Sequence, residues 1–231
     1  MRRIREIVAS VRSLYPDDDF FNNFEEKCRT IPTVLRNYCA YERALAMLDY
    51  ESWIILKNKA LQHYLNHREG QKKQGFFHQL NESFAYRHLV NQGFHNVRFL
   101  KEERKRTPDI VYTDQGVSAY CEVKTLGISK DEIERRNAIA CYDGSVYFGL
   151  SDGFVNKFRN AVSDAVQQIR SLGTEGMVYV VVVFDDFTLC HYENYRKQLI
   201  RLSRDNADNL FIKIGLCGNR RISKAICPTA T

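Results

Sequence analysis

Asp109, Glu122 and Lys124 are the residues of this 231-residue chain whose types and spacing could do chemistry. Asp109 follows Pro108, and Glu122 and Lys124 stand either side of Val123. Two converging carboxylates repel each other, and a hard divalent cation relieves that repulsion. Mg²⁺ takes oxygen ligands, keeps several waters and is often held by one or two carboxylates plus substrate phosphate. A cation so held lowers the pKa of its water and stabilises charge on a phosphoryl oxygen. A lysine nearby can orient or deprotonate the attacking water, or neutralise the pentacovalent phosphate. The chemistry that fits the three residues is metal-dependent phosphodiester hydrolysis. The alternative for an acid and a base on one strand is a solvent-facing ion pair, which is worth little.

The elements that must position them read as a β-hairpin. Ile110-Val111-Tyr112 is β-prone, Asp114-Gln115-Gly116 is a turn signal, and Val117 to Leu126 is β-prone again. Side chains alternate faces along a strand, so Val117, Ala119, Cys121 and Val123 share one face, and Ser118, Tyr120, Glu122 and Lys124 the other. In an antiparallel pair the start of one strand lies beside the end of the other. Asp109 is therefore expected to meet Glu122 and Lys124.

The pattern P-D-x12-E-V-K, set in a hairpin between helices, resembles the signature of the PD-(D/E)xK nuclease superfamily. Its spacing is similar to that of Holliday-junction resolvases and several restriction enzymes. The resemblance implies an α-β-β-β-α-β core of restriction-endonuclease-like type and a nuclease cutting DNA ahead of RNA. It implies Asp109 and Glu122 as metal ligands, with the Val123 carbonyl as a further one, and Mg²⁺ as the cofactor, Mn²⁺ also serving. Lys124 would act on the water. In that superfamily the first core helix often supplies a glutamate that joins the metal site through water, a role that falls here on Glu82. Two other classes compete: a non-catalytic nucleic-acid-binding or scaffold protein that keeps the fold, and an RNA-directed endonuclease. No aromatic-basic RNA-recognition motif is visible.

Composition bounds these readings. Hydrophobic content is 44% with four prolines, enough to bury a real core. The net charge of +6 and a pI near 8.9 favour anionic partners. Seven cysteines without a C-x-x-C pair read as reduced thiols in an intracellular protein of cytoplasm or nucleoid. Their spacing supports neither zinc nor the iron–sulfur cluster that some nucleases of this superfamily carry. Met1-Arg2-Arg3-Ile4-Arg5-Glu6 has no apolar run behind it, so no signal peptide is expected. The apolar run Met177 to Phe184 is too short to span a membrane, and no membrane partner is expected.

Along the chain, apolar residues at helical spacing predict helices over 4–14, 20–29, 32–48 and 51–67. Pro16-Asp17-Asp18-Asp19 breaks the first and can cap the second. Residues 1–70 form a helical N-terminal subdomain, either packing on the core or serving as a substrate clamp or homodimerisation unit. Residues 71–231 form the nuclease-like domain, with the boundary at Gly70 to Gly75. A helix over 76–92 buries Phe77, Leu80, Phe84 and Leu89, with Glu82 at the edge of that face and His88 in the core. A strand over 96–100 precedes the charged run whose Arg104, Lys105 and Arg106 sit where phosphate could approach. An insertion over 127–152 carries a short charged helix and a small hairpin. Its Lys130, Arg135 and Arg136 are further candidate phosphate contacts. A helix from a cap at Asp152 to Gly173, a buried strand over 177–184, a helix over 192–204 and a strand over 209–217 complete an α/β (α+β) fold with a mixed sheet flanked by helices.

Overall fold

Apolar residues every three or four positions bring the described residues up to Asn91 into a set of packed helices. The computed structural model describes residues 1–66, 72–101, 107–127, 134, 148–173, 176–183, 191–206, 209–215 and 221–223. Helices α1 (Arg2–Leu14), α2 (Phe24–Thr30), α3 (Pro32–Leu45), α4 (Tyr50–Gln62) and α5 (Gln74–Asn91) come first. α1 buries Ile4, Ile7, Val8 and Val11, each contributing at most about 1.5–3 kcal/mol. α2 begins later than the periodicity predicts, because Phe20 to Asn23 form a turn, and α4 ends at Gln62 rather than His67. The aspartates after Pro16 do not cap α2, whose N-cap is Asn23 with no side-chain bond.

Asp18 makes a tertiary tie instead. It accepts hydrogen bonds from Tyr64 Oη at 2.5 Å, from the Phe20 amide at 3.1 Å and from the buried Lys73 ammonium. Burial works against its charge, but these donors outweigh it and hold the carboxyl below its usual value. A carboxyl depressed in the folded state stabilises the fold above its unfolded pKa of about 4 and loses that contribution as pH falls through the folded value. Asp18→Asn is therefore expected to cost about 2 kcal/mol at pH 7, and progressively less as the medium is acidified below pH 4. Urea unfolding at pH 7 and pH 3 checks this. An equal deficit at both pH values would count against the tie.

α5 packs against α3, α4 and strand β1 (His95–Phe99). From Leu80 to Tyr86 every residue of it is buried, so it has no single apolar stripe. The one-sided face expected from Phe77, Leu80, Phe84 and Leu89 is thus too narrow, and Phe77 itself is only half-buried. Tyr41 Oη donates to the buried Asn81 Oδ1 at 2.8 Å, giving that side-chain carbonyl a partner. β1 pairs antiparallel with β2 (Ile110–Asp114) through a bulge between His95 and Arg98, where Asn96 has a positive φ of 50°. Gln115 and Gly116, at φ 46° and 83°, make a two-residue turn of the kind that reverses a strand, within the expected Asp114-Gln115-Gly116 signal, while Asp114 itself ends β2.

β3 (Val117–Leu126), β4 (Gly176–Val182) and β5 (Leu210–Ile214) pair in parallel, and β6 (Arg221–Ser223) joins β5 antiparallel, giving a mixed sheet. Glu122 lies opposite Val178 and Lys124 opposite Val180. A side chain at Gly176 would strike the Tyr120 carbonyl, so β4 begins beside β3 only with glycine there. α6 (Asp152–Arg170) and α7 (Tyr192–Asn206) supply Phe158, Val162, Ala165, Ile169, Leu199 and Leu202 to a core with Leu126, Val178, Val180, Val182, Leu210, Ile212 and Ile214. The cap of α6 is Ser151, whose Oγ accepts from the Phe154 amide, rather than Asp152, which lies in the first turn. β4 stops at Val182 and β5 at Ile214, both short of the predicted ends.

The chain is thus α+β with a mixed sheet and helices. It divides into two compact units, one built mainly from Met1–Lys105 and Asp109–Ser118, the other from Arg106–Pro108 and Ala119–Gly215. α5 stands in the same unit as α1 to α4. From α5 onward the described elements run α-β-β-β-α-β, then α-β-β. No helix among the described residues is long and apolar enough to cross a membrane.

Candidate functional site

In the first unit the site is built on α4, α5 and the start of β2. Asp49 caps α4, accepting from the Ser52 amide at 2.7 Å, and Ser52 Oγ in turn accepts from the Phe99 amide of β1 at 3.1 Å. This fixes the start of α4 against β1 and sets Lys59, midway along the helix, toward the interior. The Leu100 amide donates to the Asp109 carbonyl at 2.9 Å, extending the β1–β2 ladder to the residue after Pro108. Glu82 is 5% exposed on the enclosed middle of α5.

The ammonium of Lys59 brings the two acids together. Its Nζ donates to Glu82 Oε1 at 2.8 Å and to Asp109 Oδ1 at 2.9 Å. The three side chains are 11%, 7% and 12% exposed. Charges this enclosed must be paired, and breaking such a set is far costlier than breaking a surface bridge. Burial disfavours the ammonium, but the Glu82 and Asp109 carboxylates outweigh it and hold Lys59 above the usual lysine pKa.

In the second unit Glu122 and Lys124 share the helix-covered face of β3, as the alternation predicts. Lys124 Nζ donates to Glu122 Oε1 at 2.6 Å. Gln168 of α6 donates to Glu122 Oε2 at 3.0 Å and to the Thr107 carbonyl at 2.8 Å. One amide therefore holds both the acid of β3 and the backbone at Thr107. Glu122 is 5% exposed, so it is not the solvent-facing partner of a surface pair. Val123, between the two, is buried.

Glu82 thus joins Asp109 in one unit, and Glu122 joins Lys124 in the other. Arg104, Lys105, Arg106, Lys130, Arg135 and Arg136 lie outside the described residues, as does most of the 127–152 insertion. Lys59 and Gln168 are site residues that the sequence reasoning passes over. A lysine three positions after the buried Leu56 and beside the buried Ala60 sits on the apolar stripe of its helix, which is a sign of a buried partner. Gln168 likewise lies beside the buried Ile169.

Among the described residues no three His, Cys, Asp or Glu side chains form a metal-binding group. The Glu82–Asp109 pair is nevertheless a set of hard oxygen donors already gathered around one cationic atom. Such a pair suits Mg²⁺, which needs few protein ligands. Comparisons with family models, curated proteins and solved structures find no match to this chain.

Proposed function

We propose that the protein is a divalent-metal-dependent nuclease of PD-(D/E)xK type with a restriction-endonuclease-like core, hydrolysing phosphodiester bonds, DNA ahead of RNA. The observation that carries this reading is Glu122. It is an acid on the buried face of a strand, held at 2.6 Å by Lys124 and at 3.0 Å by Gln168. A carboxylate buried and oriented in this way beside a lysine is the kind of group that functional sites concentrate, which supports the reading.

Asp109 and Glu122 would hold the ion, with the Val123 carbonyl as a further ligand and Glu82 assisting through water. Mg²⁺ or Mn²⁺ would supply an acidified water and charge neutralisation at the phosphate. Lys124 would orient the attacking water as the ammonium or, as the free amine, take its proton, its flexible stem letting the side chain swing from Glu122 toward the substrate. Gln168 keeps Glu122 aimed while Lys124 is engaged. Arg104, Lys105, Arg106, Lys130, Arg135 and Arg136 would meet substrate phosphates.

The test is a panel of duplex, single-stranded, branched and RNA substrates, incubated with and without Mg²⁺ or Mn²⁺. Cleavage of DNA only with the ion is expected. Binding without cleavage of any substrate would replace this reading with a non-catalytic binding protein, and cleavage of RNA alone with an RNA-directed enzyme. Affinity is also expected to fall about a thousandfold between 50 and 200 mM salt, the loss for roughly six phosphate contacts. A filter-binding titration at both concentrations measures it, and salt-independent binding would sink the nucleic-acid partner.

A further inference from the structure

We infer that Lys59 is a positioning residue of the acid pair, its ammonium standing where a divalent cation would bind, so that the cation enters only as the ammonium leaves. The inference rests on the proposed metal role of Asp109.

The argument starts from charge. Glu82 and Asp109 carry two negative charges in a setting where their side chains are 7% and 12% exposed. Lys59 supplies one positive charge to an oxygen of each. It therefore does for the resting protein what a metal ion would do, holding together two carboxylates that would otherwise repel. Its contact of 2.9 Å with Asp109 is longer than a Mg²⁺–oxygen bond of about 2.1 Å, so an ion replacing it would sit closer to Asp109, with Glu82, 2.8 Å from the ammonium, reaching it through water. A lysine and a divalent ion cannot both occupy that position, since two cations in contact repel strongly where water is scarce.

Lys59 is attached to α4, so it is an intramolecular competitor that dilution cannot remove. The apparent affinity for the ion is lowered by the fraction of time the ammonium is seated. A lysine seated nine-tenths of the time weakens binding about tenfold. The stem of four carbons lets the ammonium withdraw without moving the helix. A lysine with a purely structural role would show none of this, since removing it would leave ion affinity unchanged or weaker.

Calorimetric titration of the full chain with Mn²⁺ tests the inference, using wild type, Lys59→Met, and Lys59→Gln, which keeps a donor between the acids should the methionine variant fail to fold. Mn²⁺ is expected to bind at least about tenfold tighter without the ammonium, and the gain should vanish when Asp109→Asn is added. Without ion the Lys59 variants should melt below wild type, and Mn²⁺ should raise their Tm more than it raises that of wild type. Unchanged or weaker affinity in the folded Lys59 variants overturns the inference, as does a gain that survives Asp109→Asn. Cleavage by wild type and Asp109→Ala is measured in parallel. Tightening without any cleavage overturns the nuclease reading alone, and Asp109-dependent cleavage without tightening overturns the role of Lys59 alone.

Discussion

Replacing Lys124 with alanine is expected to slow cleavage at saturating substrate by about a thousandfold, the size of effect seen when a general base or a transition-state charge is removed. Binding should weaken only modestly, because one phosphate contact among several is lost. The separation follows from where the lysine stands. Its side chain is 28% exposed beside a Glu122 side chain that is 6% exposed, so the ammonium reaches solvent while the acid stays inside. Lys124→Arg should also be poor, since guanidinium keeps the charge but does not give up a proton. Single-turnover cleavage in Mg²⁺, beside equilibrium binding in Ca²⁺, separates rate from affinity. Wild-type cutting by saturated Lys124→Ala would reduce the lysine to a neutralising partner of Glu122.

Asp109→Ala and Glu122→Ala are each expected to abolish divalent-dependent cleavage, with loss beyond about a thousandfold, because each removes a proposed ligand of the ion. The folded state should respond differently in the two cases. Without Asp109, Lys59 keeps its bond to Glu82 at 2.8 Å. Without Glu122, Lys124 turns to solvent and Gln168 keeps its bond to the Thr107 carbonyl. Each change leaves Lys59 or Gln168 a remaining hydrogen-bond partner, so both variants should stay folded by circular dichroism while losing activity. Full activity in either variant would remove that residue from the site.

The strands that carry Asp109, Glu122 and Lys124 are legible because their evidence is local. β-Prone residues flank Gln115-Gly116, and the period of two puts Glu122 and Lys124 on one face whatever the rest of the chain does. The helices are legible for the same reason, though their ends slip by a few residues where turn geometry competes, as at Phe20 to Asn23. The burial of Glu82 is not legible. It depends on α3, α4 and β1 enclosing α5, and a helix covered on several sides has no periodic signature to read. Lys59 and Gln168 escape for a related reason. Each works through a partner far along the chain, Asp109 for the lysine and Glu122 for the glutamine, and only the fold joins them.

The enclosure of α5 also bears on how far the protein can be divided. A helix buried on all its sides at its middle is not a module edge, whatever glycines precede it. A fragment starting near residue 71 would keep α5 but strip it of α3 and α4, leaving Leu80, Phe84 and Leu89 among bare apolar surfaces of the kind that drive aggregation. It would also leave Glu82 and Asp109 without the ammonium between them. The N-terminal helices are therefore not a cassette that can be cut away at the glycines before α5. They enclose α5 and supply the ammonium that holds Glu82 and Asp109 together.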